Sequence, residues 1–188
     1  MANKLNHTNG KITGPWRTPI NIDSEDKTNI HNEEDAKKLG FRGGLVAGSI
    51  HMEMFLPELL EAFGEAWLER GCLSMYFMNA TLDGEEVRAG VGEPDGDPEG
   101  AQVAVYGERP NGTVLGQGTA SLGECDKPSA LHDRELSPFP AGDLKILSGV
   151  KVGDEFPVIE TRVTPEYHAE RMGVITEKIP EYSDASLR

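Results

Sequence analysis

The chain has 188 residues and a formal net charge of -14 at pH 7, enough for one domain with a good core and short for two. A surface that acidic repels phosphate backbones and argues against nucleic acid as a partner. No apolar run reaches the length of a bilayer span, residues 1–14 lack the apolar stretch of a secretory signal, and Cys72 and Cys125 form neither a metal spacing nor a disulfide framework; the expected setting is the cytoplasm, without a membrane and with reduced thiols.

In chain order, Trp16 to Ile22 reads as a short extended stretch with alternating Thr18, Ile20 and Ile22, limited to an edge or irregular strand by Pro15 and Pro19. After a polar turn, Glu33 to Leu39 reads as a short helix ended at Gly40. Ser49 to Arg70 is the longest helical pattern, with Phe55, Leu59, Phe63 and Ala66 at helical spacing. Ile50, Met54, Leu56 and Ala62 widen its apolar stripe, as expected of a helix wrapped by other structure. Pro57 inside it predicts a kink or a late start.

Beyond Gly71 the period becomes that of a strand. Leu73, Met75 and Phe77 alternate, as do Val87, Ala89 and Val91, and Ala101–Tyr106 and Thr113–Leu122 continue in the same style. Arg109-Pro110-Asn111-Gly112 is a turn signal between two of these strands. Residues 92–100 form an acidic loop. The expectation is an α+β fold, a long helix lying across a curved antiparallel sheet. Residues 124–144 read as a linker. From there to residue 188, Val152 to Val158 starts a strand and Thr164-Pro165-Glu166 starts a helix, with Pro at its first position.

Residues 24–31, Ser-Glu-Asp-Lys-Thr-Asn-Ile-His, and 41–48, Phe-Arg-Gly-Gly-Leu-Val-Ala-Gly, carry the chemistry. Together they resemble the signature of the MaoC-like (R)-specific enoyl-CoA hydratases of the hotdog superfamily. That signature runs Ser-x-Asp-x-Asn-Pro-(Ile/Leu)-His, then a short helix, then Phe-x-x-Pro-Ile-Val-His-Gly at the start of the central helix. Asp26 and His31 hold the family spacing to each other, and Phe41 and Gly48 hold theirs, while the stretch from His31 to Phe41 is one residue short. Thr28 stands where the family has Asn, Asn29 where it has Pro, and Ala47 where it has His. The resemblance covers residues 12–123 and places the hotdog domain in residues 1–123. It likens residues 145–188 to the opening strand and helix of a second such unit.

The resemblance implies a hydratase or dehydratase acting on an enoyl thioester carried on coenzyme A, with no metal and no redox cofactor. Asp26 and His31 would divide the proton transfers of water addition between them. The N–H of Gly48 would stabilise the enolate oxygen at a helix N-terminus. Gly43, Gly44, Ala47, Ser49 and His51 would line the substrate. It also implies a homodimer or a paired-domain assembly. Two rival readings use the same residues: a hotdog thioesterase, and an acyl-thioester-binding module without chemistry, which the departures at 28, 29 and 47 favour.

Each residue also has a plainer use. Asp26 suits a turn, and His31 suits a half-buried histidine bonded to a carbonyl. Gly43, Gly44 and Gly48 suit close packing, and His51 could fill a core gap. Arg42 reads as solvated, and the Met52/Met54 and Met75/Met78 pairs as core fillers. In the tail, backbone entropy of about 1–2 kcal/mol per residue rules out a free-standing strand and helix. Ordered residues there should dock on a sheet, through Val158, Ile159, Val163 and Tyr167.

Overall fold

The computed structural model describes residues 4–22, 29–135, 148–177 and 179–183. Among these, six strands form one antiparallel sheet: β1 (Asn6–Thr8), β2 (Lys11–Thr13), β3 (Gly71–Phe77), β4 (Arg88–Gly92), β5 (Gln102–Glu108) and β6 (Val114–Leu122), in the order β1-β2-β4-β5-β6-β3. The helices are α1 (Glu33–Lys38), α2 (Gly48–Glu53), α3 (Leu56–Phe63), α4 (Trp67–Arg70), α5 (Pro165–Val174) and α6 (Pro180–Ser183). None of them is long and apolar enough to cross a membrane.

The helical pattern of residues 49–70 is not one helix but α2, α3 and α4 in succession. Pro57 sits in the first turn of α3, where its missing N–H costs nothing and its ring cannot clash with a preceding turn. Gly64, at φ 71°, ends α3, a conformation that other residues adopt only with strain. The apolar stripe nevertheless does its expected work. Phe55, Leu59 and Phe63 are buried against Val87, Ala89, Val91, Val105 and Leu115 of the sheet side, and Phe63 stacks on Trp67 at 5.3 Å between ring centroids. Of the methionines expected in the core, Met54 and Met75 are buried, while Met52 and Met78 are exposed.

Two stretches of backbone pair differently from their sequence pattern. Trp16 to Ile22 forms no strand; it contributes a single bridge, Arg17 to Val87, between Pro15 and Pro19, neither of which has an N–H to extend a ladder. The sheet is extended instead by the polar hairpin of β1 and β2, whose turn is Asn9-Gly10, both at positive φ. The turn at 109–112 closes as expected: Gly112 N–H donates to the Arg109 carbonyl at 2.9 Å, and β6 follows.

The described part of the linker crosses the outer face of the sheet. Ala130 N–H donates to Thr119 Oγ1 at 2.9 Å and Leu131 N–H to Ser74 Oγ at 3.1 Å, while Gln102 Nε2 donates to the carbonyls of Lys127 and Pro128. Residues 148–164 form no strand, and Val158, Ile159, Val163 and Tyr167 are exposed, so the contacts expected of them are not made. The helix start at Thr164 is as expected, with Thr164 Oγ1 accepting from the Tyr167 N–H at 3.2 Å. The tail docks farther along. Ile175 is buried, Arg171 Nη2 reaches Glu53 Oε1 at 2.7 Å, and Tyr182 donates to the Glu53 carbonyl at 2.6 Å.

Candidate functional site

Three short pieces of backbone are laced together beside α2. Asn29 Oδ1 accepts from the N–H groups of His31 and Asn32, at 2.7 and 3.0 Å. Asn32 Oδ1 then caps α1 by accepting from Glu34 and Asp35, a preferred role for Asn at a helix start. Leu45 N–H donates to the Ile30 carbonyl at 2.9 Å, and Val46 N–H to the Thr81 carbonyl at 2.8 Å. Gly44 makes this close approach possible: a Cβ there would lie 2.5 Å from the His31 carbonyl oxygen. Its N–H is held by Glu33 Oε2 at 2.8 Å, and a Cβ on Gly43 would meet the same carboxylate at 2.7 Å. Both glycines therefore serve packing between the 31–33 and 43–46 segments.

The lacing fixes the ring of His31. Its Nδ1 lies 2.7 Å from the Leu45 carbonyl oxygen. A carbonyl only accepts, so Nδ1 carries a proton, and of the two neutral tautomers the contact selects the one with its lone pair on Nε2. His31 is half-buried, and it forms part of the wall of a cavity of about 290 Å³, near the lower end of ligand-pocket sizes. Ile30, Phe41, Leu45, Val46, Phe77 and Met78 supply the apolar wall; Gly48, His51 and Thr81 join His31 on it. The structure thus brings three of the sequence-derived site residues, His31, Gly48 and His51, to one cavity.

Gly48 opens α2, whose preceding residue, Ala47, offers no side-chain cap. The N–H groups of a first helical turn have no intrahelical acceptor. A Cβ on Gly48 would come within 2.8 Å of the Phe77 ring, so the glycine lets that ring lie against the helix start. Ser49 points elsewhere: its Oγ accepts from Arg171 Nη2 of the tail at 3.1 Å. Asp26 lies outside the described residues. Arg42, rather than being only solvated, pairs with Glu85 at 2.8 Å. Burial pushes the Glu85 carboxyl up, but the Leu82 N–H and the charges of Arg42 and Arg109 outweigh it and hold it below its ordinary value.

His51 is 7 % exposed and its Nε2 has no hydrogen-bond partner among the described residues. Burial, with the Arg109 charge as a second cause, pulls its pKa down to about 4. It is therefore a neutral imidazole near pH 7. Its ring lies 6.0 Å from that of Phe77. Thr81, 2 % exposed, likewise has a hydroxyl without a partner among the described residues. Thr81 is not singled out by the sequence pattern; it lies outside the motif, and the Leu45–Leu82 bridge with the hydrogen bond from Val46 N–H to its carbonyl brings it alongside. Among the described residues no group of His, Cys, Asp or Glu is placed to hold a metal ion. Comparison of the chain with protein-family models, with curated proteins and with solved structures finds no match in any of the three.

Proposed function

We propose that the chain is a hotdog-type hydratase or dehydratase of the MaoC-like kind, acting on a short acyl thioester carried on coenzyme A. The observation that carries this reading is the orientation of His31. With Nδ1–H spent on the Leu45 carbonyl, the free lone pair is on Nε2, beside a cavity that also holds the uncapped start of α2. A neutral imidazole with one nitrogen anchored and the other open is the form a general base needs.

In the hydration direction, His31 Nε2 takes a proton from water as its oxygen bonds to C3 of the enoyl thioester. The electron pair of the double bond moves onto the thioester, giving an enolate, and C2 then takes up the proton that His31 accepted, which returns the imidazole to its neutral form. Asp26, from the motif, would share these proton transfers with His31. The N–H at Gly48 would stabilise the enolate oxygen, where an N–H already lacking an intrahelical acceptor needs no rearrangement to donate. The six-stranded antiparallel sheet with Phe55, Leu59 and Phe63 packed into it is compatible with the hotdog arrangement. A homodimer belongs to the same reading.

The test is an assay with crotonyl-CoA, following loss of enoyl absorbance and release of free thiol in parallel. Hydration without thiol release, reduced on the order of a hundredfold or more by His31→Gln or Asp26→Asn with the fold retained, supports the proposal. Thiol release instead identifies a thioesterase. Binding without any turnover identifies an inactive acyl-binding module. Near-normal hydration in both variants removes these residues from the mechanism.

A further inference from the structure

Two residues that line the cavity beside His31 each carry a buried polar atom without a hydrogen-bond partner among the described residues. His51 and Thr81 are each more than nine-tenths buried and line the same cavity, and His51 Nε2 and Thr81 Oγ1, just beneath its wall, lack partners among the described residues. Buried polar groups left unpaired are costly, and the cost is recovered when a ligand brings the missing partner. Past His51 and Phe77 the space narrows to an apolar gap of about 10 Å³ among Met54, Phe55, Met75 and Leu115, about the room one water needs and too little for a chain of methylenes.

We propose that His51 and Thr81 form a polar floor that restricts the cavity to a short acyl chain whose far end carries an uncharged hydrogen-bonding group, a hydroxyl or a carbonyl. This rests on the thioester reading for the position of the chain, and on the two orphaned atoms for its end. An apolar end would seal both atoms away from water without replacing their hydrogen bonds. A carboxylate end would meet no counter-charge on the cavity wall, because no Lys or Arg lines the cavity among the described residues. A hydroxyl suits both partners, since it donates and accepts and Thr81 does the same. His51 is also the barrier to length, as it borders both the cavity and the gap.

The experiment is calorimetric titration of the full chain with butyryl-, γ-hydroxybutyryl- and hexanoyl-pantetheine. The hydroxylated ligand should bind the wild type about tenfold more tightly than butyryl-pantetheine, the worth of one hydrogen bond to an otherwise unpaired buried group. Thr81→Val, which keeps the shape and removes only the hydroxyl, should erase most of that ratio, and His51→Phe the same. His51→Ala should open the cavity into the gap and raise affinity for the hexanoyl ligand over the butyryl one. Equal binding of the two short ligands by the wild type, or an undiminished ratio in both Thr81→Val and His51→Phe, overturns the floor while leaving the thioester reading intact. Should no thioester bind, butanediol at millimolar concentration separates the two ideas by the imidazole nitrogen NMR signal of His51. A shift sinks the thioester reading and keeps the floor; an unmoved signal sinks both.

Discussion

Arg17 Nε donates to Glu177 Oε1 at 2.6 Å, joining positions 160 apart in the chain. Arg17 is also tied to the sheet through its backbone, which exchanges hydrogen bonds with Val87 in both directions. The pair thus fastens the tail to the bridge beside β4. Glu177 is 3 % exposed at its side chain, and breaking a buried pair from one side strands the other charge. Arg17→Ala should lower the unfolding free energy by about 3–5 kcal/mol, measured by urea denaturation. A change under about 1 kcal/mol, the value of an exposed pair, would mean that the contact does not anchor the tail.

Glu58 lies beside that pair, buried in the first turn of α3. Burial pushes its carboxyl up to about 8; a hydrogen bond from its own backbone N–H opposes this, the charge of Glu177 adds to it, and Arg17 opposes it least. Gly14 makes room for it: a Cβ there would fall 1.9 Å from Glu58 Oε1. Between its ordinary value of 4.5 and about 8, the folded chain holds a proton at Glu58 that the unfolded chain has released. Stability therefore falls as pH rises through that window. His51 works in the opposite sense, since its pKa is lowered from 6.5 to about 4, and its contribution is complete above pH 6.5. From there to pH 8 the decline belongs to Glu58. Melting temperature should drop across that interval in the wild type and stay level in Glu58→Gln; parallel curves would show that Glu58 does not titrate there.

Leu59 is 2 % exposed in the centre of the core. Leu59→Ala should cost about 2–5 kcal/mol, the transfer term plus the cavity left behind. A smaller loss in chemical denaturation would show that α3 can collapse onto the sheet.

Thr81→Val should leave the ligand-free protein as stable as the wild type or more so, by up to about 1–3 kcal/mol, because it deletes a buried hydroxyl without a partner. A clear loss in the urea midpoint would reveal that the hydroxyl is satisfied, and would weaken its claim on a ligand.

What could be read from the sequence depended on how far apart the interacting residues lie. The helix at 33–39 carries its own punctuation: Asn32 as cap, acidic residues in the first turn, Lys37 and Lys38 in the last, and Gly40 at φ 90° beyond. The core stripe of Phe55, Leu59 and Phe63 was equally local, although periodicity alone did not show that Gly64 breaks the helix. The hairpin at Asn9-Gly10 had a strong turn signal that its polar flanking residues obscured: all of β1 is exposed. His31 and Gly48, both named by the motif, line one cavity, whereas Thr81 reaches it through backbone pairing with residues 45–46, which no motif reveals. The docking of the tail escapes the sequence pattern for a related reason. Val158, Ile159 and Val163 looked like the sticky residues, but Arg171, Ile175 and Glu177 make the attachment, two of them by charge.

Because residues 127–131 are bonded across the sheet and residues 171–182 are held at Arg17, Ser49 and Glu53, the exposed run at 148–164 bears little of the architecture between them. Cutting one peptide bond there would interrupt the chain without releasing its end. The clipped protein would migrate as one particle and separate into two pieces only in denaturant, so the attachment behaves like a bound peptide that happens to be covalently tethered.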